Sequence, residues 1–276
     1  MRTILLSLSV LLCMAVHAQE PSALLMVHFG TTYDDTRAKT IDAINERARQ
    51  ACPGYELAEA YTSAVVMKRL ARRGVVKPSV TDALLQLRAK GFLSVVVQPT
   101  YIIDGIEMQR LRSDVDRLRP FFNDIRLSTP LLYTTDDARR VCNVLVARHP
   151  ANQKKREHVV FVGHGTEGPA TALYSQLDYM LHADPFGNGR EGAYHVATIE
   201  GYPTLQTLTD ELHAQRAKSV KLVPLLFVAG DHATNDIAVE WREALEREGF
   251  AVSLAIEGLG EVPEIQNLYI EKIKGE

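Results

Sequence analysis

His158-Val159-Val160-Phe161-Val162-Gly163-His164-Gly165-Thr166 is a continuous β-branched and aromatic run that stops at a Gly-His-Gly turn. A short apolar run of this kind, bounded by glycine, fits a strand buried on both faces, as in parallel sheets covered by helices. Similar runs recur on both sides of it, with helix-period segments between them. The expected strands are Ala23–Phe29, Tyr55–Ala60, Ser94–Pro99 and Ile125–Leu131 in the first half. In the second half they are His158–Val162, Tyr194–Ile199, Lys221–Phe227 and Ala251–Ile256. Helices are expected over Thr36–Cys52, Ser63–Arg73, Ser79–Lys90 and Glu107–Leu118, then over Thr135–Arg148, Ala170–His182, Thr204–Gln215, Asn235–Glu248 and Glu261–Lys274. Strict alternation of strand and helix predicts an α/β fold with parallel sheets.

The two halves echo each other. Each first strand ends in a histidine followed by a Gly-Thr pair, as His28-Phe29-Gly30-Thr31 and His164-Gly165-Thr166. Each third strand carries a proline, then a glycine, then a ligand-type residue: Pro99, Gly105 and Glu107, against Pro224, Gly230 and His232. This predicts two similar Rossmann-like domains facing one cleft, each a parallel sheet of about four strands flanked by helices. The N-terminal domain is expected over 19–133 and the C-terminal domain over 134–276, with the final helix packing back on the first domain.

Arg2, the apolar stretch Ile4–Val16 and the small residues of Val16-His17-Ala18 read as a secretory signal peptide over 1–18, cut after Ala18. The expected location is periplasmic, with no stable membrane insertion after processing. Cys52 and Cys142 are far apart and form no Cys-x-x-Cys unit, which excludes a zinc knuckle or a redox motif and favours two free thiols. Net charge is −3 with acidic and basic residues mixed, and the run Lys154-Lys155-Arg156 reads as a solvated loop, so no nucleic-acid partner is expected. The pattern is compatible with a homo-oligomer. No Gly-rich dinucleotide or phosphate loop, no Gly-x-Ser-x-Gly elbow and no His-Glu-x-x-His helix is present.

What remains is a set of ligand-type side chains at strand ends. His164 lies between two glycines, where it has little to pack against and where backbone can approach a ligand closely. His232 follows Gly230-Asp231 and precedes a helix, where Asp231, Asn235 or Asp236 could also act as helix caps. Glu200 ends a strand before Gly201-Tyr202-Pro203. In an open parallel sheet such positions share one crevice, and two imidazoles with a carboxylate suit a divalent transition metal. Glu107 begins a helix in the first half, where dipole chemistry alone could account for it. His28, His149, His158, His182, His195 and His213 read as core or surface residues.

Through His28-Phe-Gly-Thr-Thr32 with Thr36-Arg37, Ile102-Ile-Asp-Gly105 with Glu107, Gly163-His164-Gly-Thr166, Thr198-Ile-Glu200-Gly-Tyr-Pro203 and Pro224 to Asp236, the chain resembles the anaerobic, early-cobalt sirohydrochlorin cobaltochelatases. These are class II tetrapyrrole chelatases. The resemblance spans essentially the whole chain beyond residue 18; it departs at Tyr101, where the family often has histidine, and at Ile106, where a polar residue is common. It implies a lyase that inserts a divalent metal into sirohydrochlorin or a related tetrapyrrole. By position it implies His164, Glu200 and His232 as metal ligands, with His164 and Glu107 handling the macrocycle's protons. The metal would be substrate, Co²⁺ first, with Fe²⁺, Ni²⁺ or Zn²⁺ also suited to these donors. The alternative expectation is an exported haem-, tetrapyrrole- or metal-binding protein of an uptake system, without turnover.

Overall fold

The computed structural model describes residues 22–152, 156–182 and 192–275. The expected signal peptide lies outside these residues, as do Lys154 and Lys155 of the basic run. The described chain forms two four-stranded parallel sheets. The first contains β1 (Ser22–His28), β2 (Tyr55–Tyr61), β3 (Ser94–Pro99) and β4 (Asp124–Leu127), in the order β2-β1-β3-β4. The second contains β5 (Glu157–Gly165), β6 (Tyr194–Glu200), β7 (Ser219–Leu225) and β8 (Ala251–Leu254), in the order β6-β5-β7-β8. The repeated order is the structural counterpart of the echoed motifs.

Alternation along each strand divides the apolar residues between two faces. Leu24 and Met26 of β1 belong to one continuous core with Val159 and Phe161 of β5 and Val223 and Leu225 of β7. The opposite faces, represented by Leu25 and Val27 or by Val160 and Val162, pack into separate clusters under their own helices. The helices of the first half are α1 (Asp34–Arg37), α2 (Ala43–Ala51), α3 (Ala64–Ala71), α4 (Val80–Ala89) and α5 (Ile106–Leu118). A π-helical segment, Ala38–Asp42, joins α1 to α2. In the second half lie α6 (Thr135–Arg148), α7 (Ala172–His182), α8 (Leu205–Ala214), α9 (Arg242–Arg247) and α10 (Pro263–Lys274), with α9 continuing a π-helical segment over His232–Trp241.

Helix α10 returns to the first sheet. Tyr269 Oη lies 3.1 Å from the Thr100 carbonyl and 3.2 Å from that of Tyr101, while Arg126 donates to the carbonyls of Lys272 and Ile273. Lys272 also pairs with Asp137 of α6 at 2.9 Å.

The expected strand over Ile125–Leu131 is shorter than its hydrophobicity suggested. β4 stops at Leu127, level with Val97 of β3, and Pro130 has no N–H with which to resume the ladder. Leu131 and Leu132 are buried nonetheless, their N–H groups bonded to the carbonyls of Tyr101 and Ile102. β7 likewise begins two residues before the expected Lys221 and ends at Leu225. Cys52 and Cys142 are both buried free thiols, and burial pushes the Cys142 thiol up to about 12.

Candidate metal-handling site

The carboxyl ends of β5 and β7 bring His164 and His232 together. Their ring centres are 4.6 Å apart and the rings lie edge to face. Two imidazoles bound to one ion through bonds of about 2.0–2.1 Å have ring centres roughly 4.5–5.2 Å apart, so this spacing suits a shared ligand. His232 is exposed and His164 half-buried.

The two rings are held by the same nitrogen. His164 Nδ1 is 3.2 Å from the Gly165 carbonyl, and His232 Nδ1 is 2.6 Å from Asp236 Oδ2. Both partners are acceptors, so each Nδ1 carries the proton and donates. In the neutral ring this leaves the lone pair on Nε2, the arrangement in which an outer hydrogen bond fixes the tautomer of a ligating histidine.

The glycines around His164 have separate steric jobs. A Cβ at Gly163 would sit 2.2 Å from the Tyr174 ring. Gly165, at φ +90°, would place a Cβ 1.3 Å from the Glu200 carbonyl oxygen. The Glu200 loop is thus pressed directly against the His164 turn, and the Gly165 N–H donates to Tyr174 Oη at 3.3 Å. Close approach is required here by the protein's own backbone.

Glu200 ends β6 as the register partner of Gly165, and it is exposed. The register holds the Glu200 backbone beside the His164 turn, but its exposed carboxylate does not close on both imidazoles. The three expected ligands accordingly do not form a set with all donor atoms within 4.8 Å; among the described residues, the set that does is Asp178, His182 and His195.

Glu107 lies in the first turn of α5 and is paired with Arg110 at 2.8 Å. A Cβ at Gly105, two residues before it, would lie 3.8 Å from Thr166 Oγ1, and one at Gly230 would lie 3.6 Å from Thr31 Oγ1, so loops of the two halves meet beside the histidine pair. Asp231 occupies the N-cap position of the His232–Trp241 segment, but its side chain makes no capping bond. Its carboxylate instead accepts from Tyr33 Oη at 2.6 Å and faces Arg69 at 3.4 Å, tying the His232 loop to the first half. Asp236 also serves its histidine and not the helix terminus. Tyr33 and Arg69 were invisible to sequence reasoning, since no local pattern links them to a loop so distant in the chain. Exposed apolar side chains, Phe29, Tyr33, Ile106 and Tyr202, follow the strand ends around this mouth.

His28 is a core residue. It is fully buried, bonded to Thr100 Oγ1 and Asn45 Oδ1 at 3.0 Å each and stacked on Phe227. Burial lowers its pKa to about 4. Tyr101 is buried and donates to Thr62 Oγ1 at 3.1 Å, a packing role.

Comparison with known proteins agrees with this architecture. The chain is 35% identical over 253 residues to sirohydrochlorin cobaltochelatase of Salmonella typhimurium, covering 90% of this chain and 93% of that protein. It is 32% identical over 241 residues to sirohydrochlorin cobaltochelatase CbiKC of Nitratidesulfovibrio vulgaris, covering 85% and 83%. The structure of SirB from Bacillus subtilis with Fe3+ superposes with a TM-score of 0.64 at 14% identity, covering 92% of this chain and 94% of that one, a likeness of fold. The family model for cobalt chelatase (CbiK) matches residues 22–276, and the chain belongs to that family.

Proposed function

We propose that this protein inserts a divalent metal, Co²⁺ foremost, into sirohydrochlorin or a closely related tetrapyrrole. The observation that carries this reading is the His164–His232 pair, two imidazoles at ligand spacing whose Nδ1 atoms are both engaged and whose Nε2 atoms are left to bind. The named relatives support the choice of substrate class.

The reaction exchanges one M²⁺ for two pyrrole N–H protons. His164 and His232 hold the incoming ion through Nε2, and the exposed Glu200 swings in as a third, displaceable oxygen ligand. Open coordination positions then accept the ring nitrogens, which replace the protein's donors one at a time. The two released protons pass to His164, once it lets go of the metal, and to Glu107 on the facing rim. Phe29, Tyr33, Ile106 and Tyr202 offer apolar surface to the faces of a flat macrocycle.

Incubation of the purified protein with sirohydrochlorin and Co²⁺ should change the macrocycle's absorbance with turnover. His164→Ala and His232→Ala should each lower kcat/KM by 100-fold or more, while near-normal rates in both would reject the assignment. Tight binding of a tetrapyrrole with no turnover would favour the second reading, a tetrapyrrole-binding protein of an uptake system. We further propose export, on the pattern of residues 1–18; a mature N-terminus at Gln19 in the periplasmic fraction supports it, and an intact Met1 in the cytoplasm contradicts it.

A further inference from the structure

A second group of histidines lies at the amino ends of β5 and β6, the opposite end of the second sheet from the histidine pair. His195 is the second residue of β6, five positions before Glu200, which separates it from the chelatase mouth by roughly 16 Å along the strand. His195 is fully buried, and its Nδ1 has no hydrogen-bond partner. A buried nitrogen without a partner is costly and calls for an explanation. The His182 ring stands edge-on to His195 at 4.7 Å, and Glu211 Oε2 approaches the same Nδ1 at 3.5 Å, a charged contact longer than a well-formed hydrogen bond. Asp178, one turn before His182 on α7, completes the group, with Oδ2 3.5 Å from His182 Nδ1. One donor atom from each of Asp178, His182 and His195 lies within 4.8 Å of the others.

We propose that Asp178, His182 and His195 form a second binding site for a divalent transition metal of the Zn²⁺ or Co²⁺ class, with Glu211 positioned to become a fourth ligand. Donors around a four-coordinate ion at about 2.0–2.1 Å are themselves about 3.3 Å apart, and one donor atom of each of the three residues already lies within 4.8 Å of the others, so a small closure brings them onto one ion. Borderline nitrogen donors with a carboxylate select this group of metals over Mg²⁺ or Ca²⁺. The outer hydrogen bonds are in place as well. His158 Nδ1 is 2.9 Å from His195 Nε2, and the Val196 N–H donates to Asp178 Oδ1 at 2.7 Å. The ring and the carboxylate are thereby oriented before any ion arrives. Weighed one at a time, His158, His182 and His195 read as core or surface residues; the fold gathers them from two strand starts and a helix end. An ion here would join α7 to β6, remote from the metal that is transferred.

The test is metal stoichiometry of the untagged full-length protein by equilibrium dialysis against Zn²⁺ or Co²⁺ alone, with no tetrapyrrole. The His164→Ala/His232→Ala double variant should retain one ion per chain, and adding His182→Ala should remove it. Asp178→Asn is the second probe, because the amide oxygen still accepts from Val196 N–H while the anionic ligand is lost; its affinity should fall at least tenfold. Zn²⁺ should raise the thermal midpoint of the double variant and not of the triple one. If the double variant binds no ion, or if His182→Ala and Asp178→Asn each bind as their parent does, the site is refuted. Should the chelatase assignment fail instead, His182→Ala would still remove one bound ion from the otherwise unchanged protein.

Discussion

Asp236 sits one helical turn beyond His232 and accepts the proton of its Nδ1, so it governs the tautomer and aim of a ligating ring without touching the metal. Replacing it by asparagine keeps the shape and removes the charge. Asp236→Asn should weaken Co²⁺ binding at the His164–His232 pair by roughly 10- to 100-fold, seen as a raised KM for Co²⁺ with a smaller change in kcat. An unchanged KM would mean that the hydrogen bond serves only the helix. The imidazole pair was legible in the sequence because each member follows an apolar run with glycine beside it. The separation of the Glu200 carboxylate from that pair was not, since it depends on how the β6 loop packs on the His164 turn, which no local pattern encodes. His195 was illegible for a related reason. Inside a strand it reads as ordinary core, and only the packing of α7 on β6 sets Asp178 and His182 beside it.

Elements were read more reliably than side-chain directions, because strand and helix periods are local properties and partner choice is not. Ser94–Pro99 and Thr135–Arg148 have the bounds that periodicity predicts. At α6 the reason is visible: Thr134 and Asp137 form a reciprocal capping box. β4 ends at Leu127, short of Pro130, and hydrophobicity at Leu131 and Leu132 served the core instead. The return of α10 to the first sheet rests on specific bonds as well as on buried Ile265, Ile270 and Ile273. Its Tyr269 hydroxyl is fully buried against two carbonyls just beyond β3. Tyr269→Phe should therefore cost about 1–3 kcal/mol, read as a lower urea midpoint at constant m-value, since the two carbonyls lose the one O–H they share in the interior. A loss below about 0.5 kcal/mol would show that water replaces the hydroxyl.

At the scale of the molecule, the two sheets share one core, and His28 lies within it between Asn45, Thr100 and Phe227. The native state keeps this ring neutral, because burial brings its pKa from 6.5 down to about 4, against the opposing pull of Glu59 and the Asn45 hydrogen bond. The unfolded chain therefore binds more protons than the native one between these values, and stability must fall as pH drops through that window. The stabilisation is complete above pH 6.5 and lost by about pH 4, and it amounts to about 3 kcal/mol from this residue. His149, His158 and His195 are also lowered by burial and add to the same slope. Since one core spans both sheets, this loss should appear in a single cooperative transition and not in one half alone. Denaturant midpoints measured from pH 7 to pH 4 should fall more steeply for the native protein than for His28→Gln, which preserves a polar partner for Asn45 but has no proton to gain. Parallel slopes in the two proteins would place the acid sensitivity of this window in the other buried histidines, His149, His158 and His195, and not in His28.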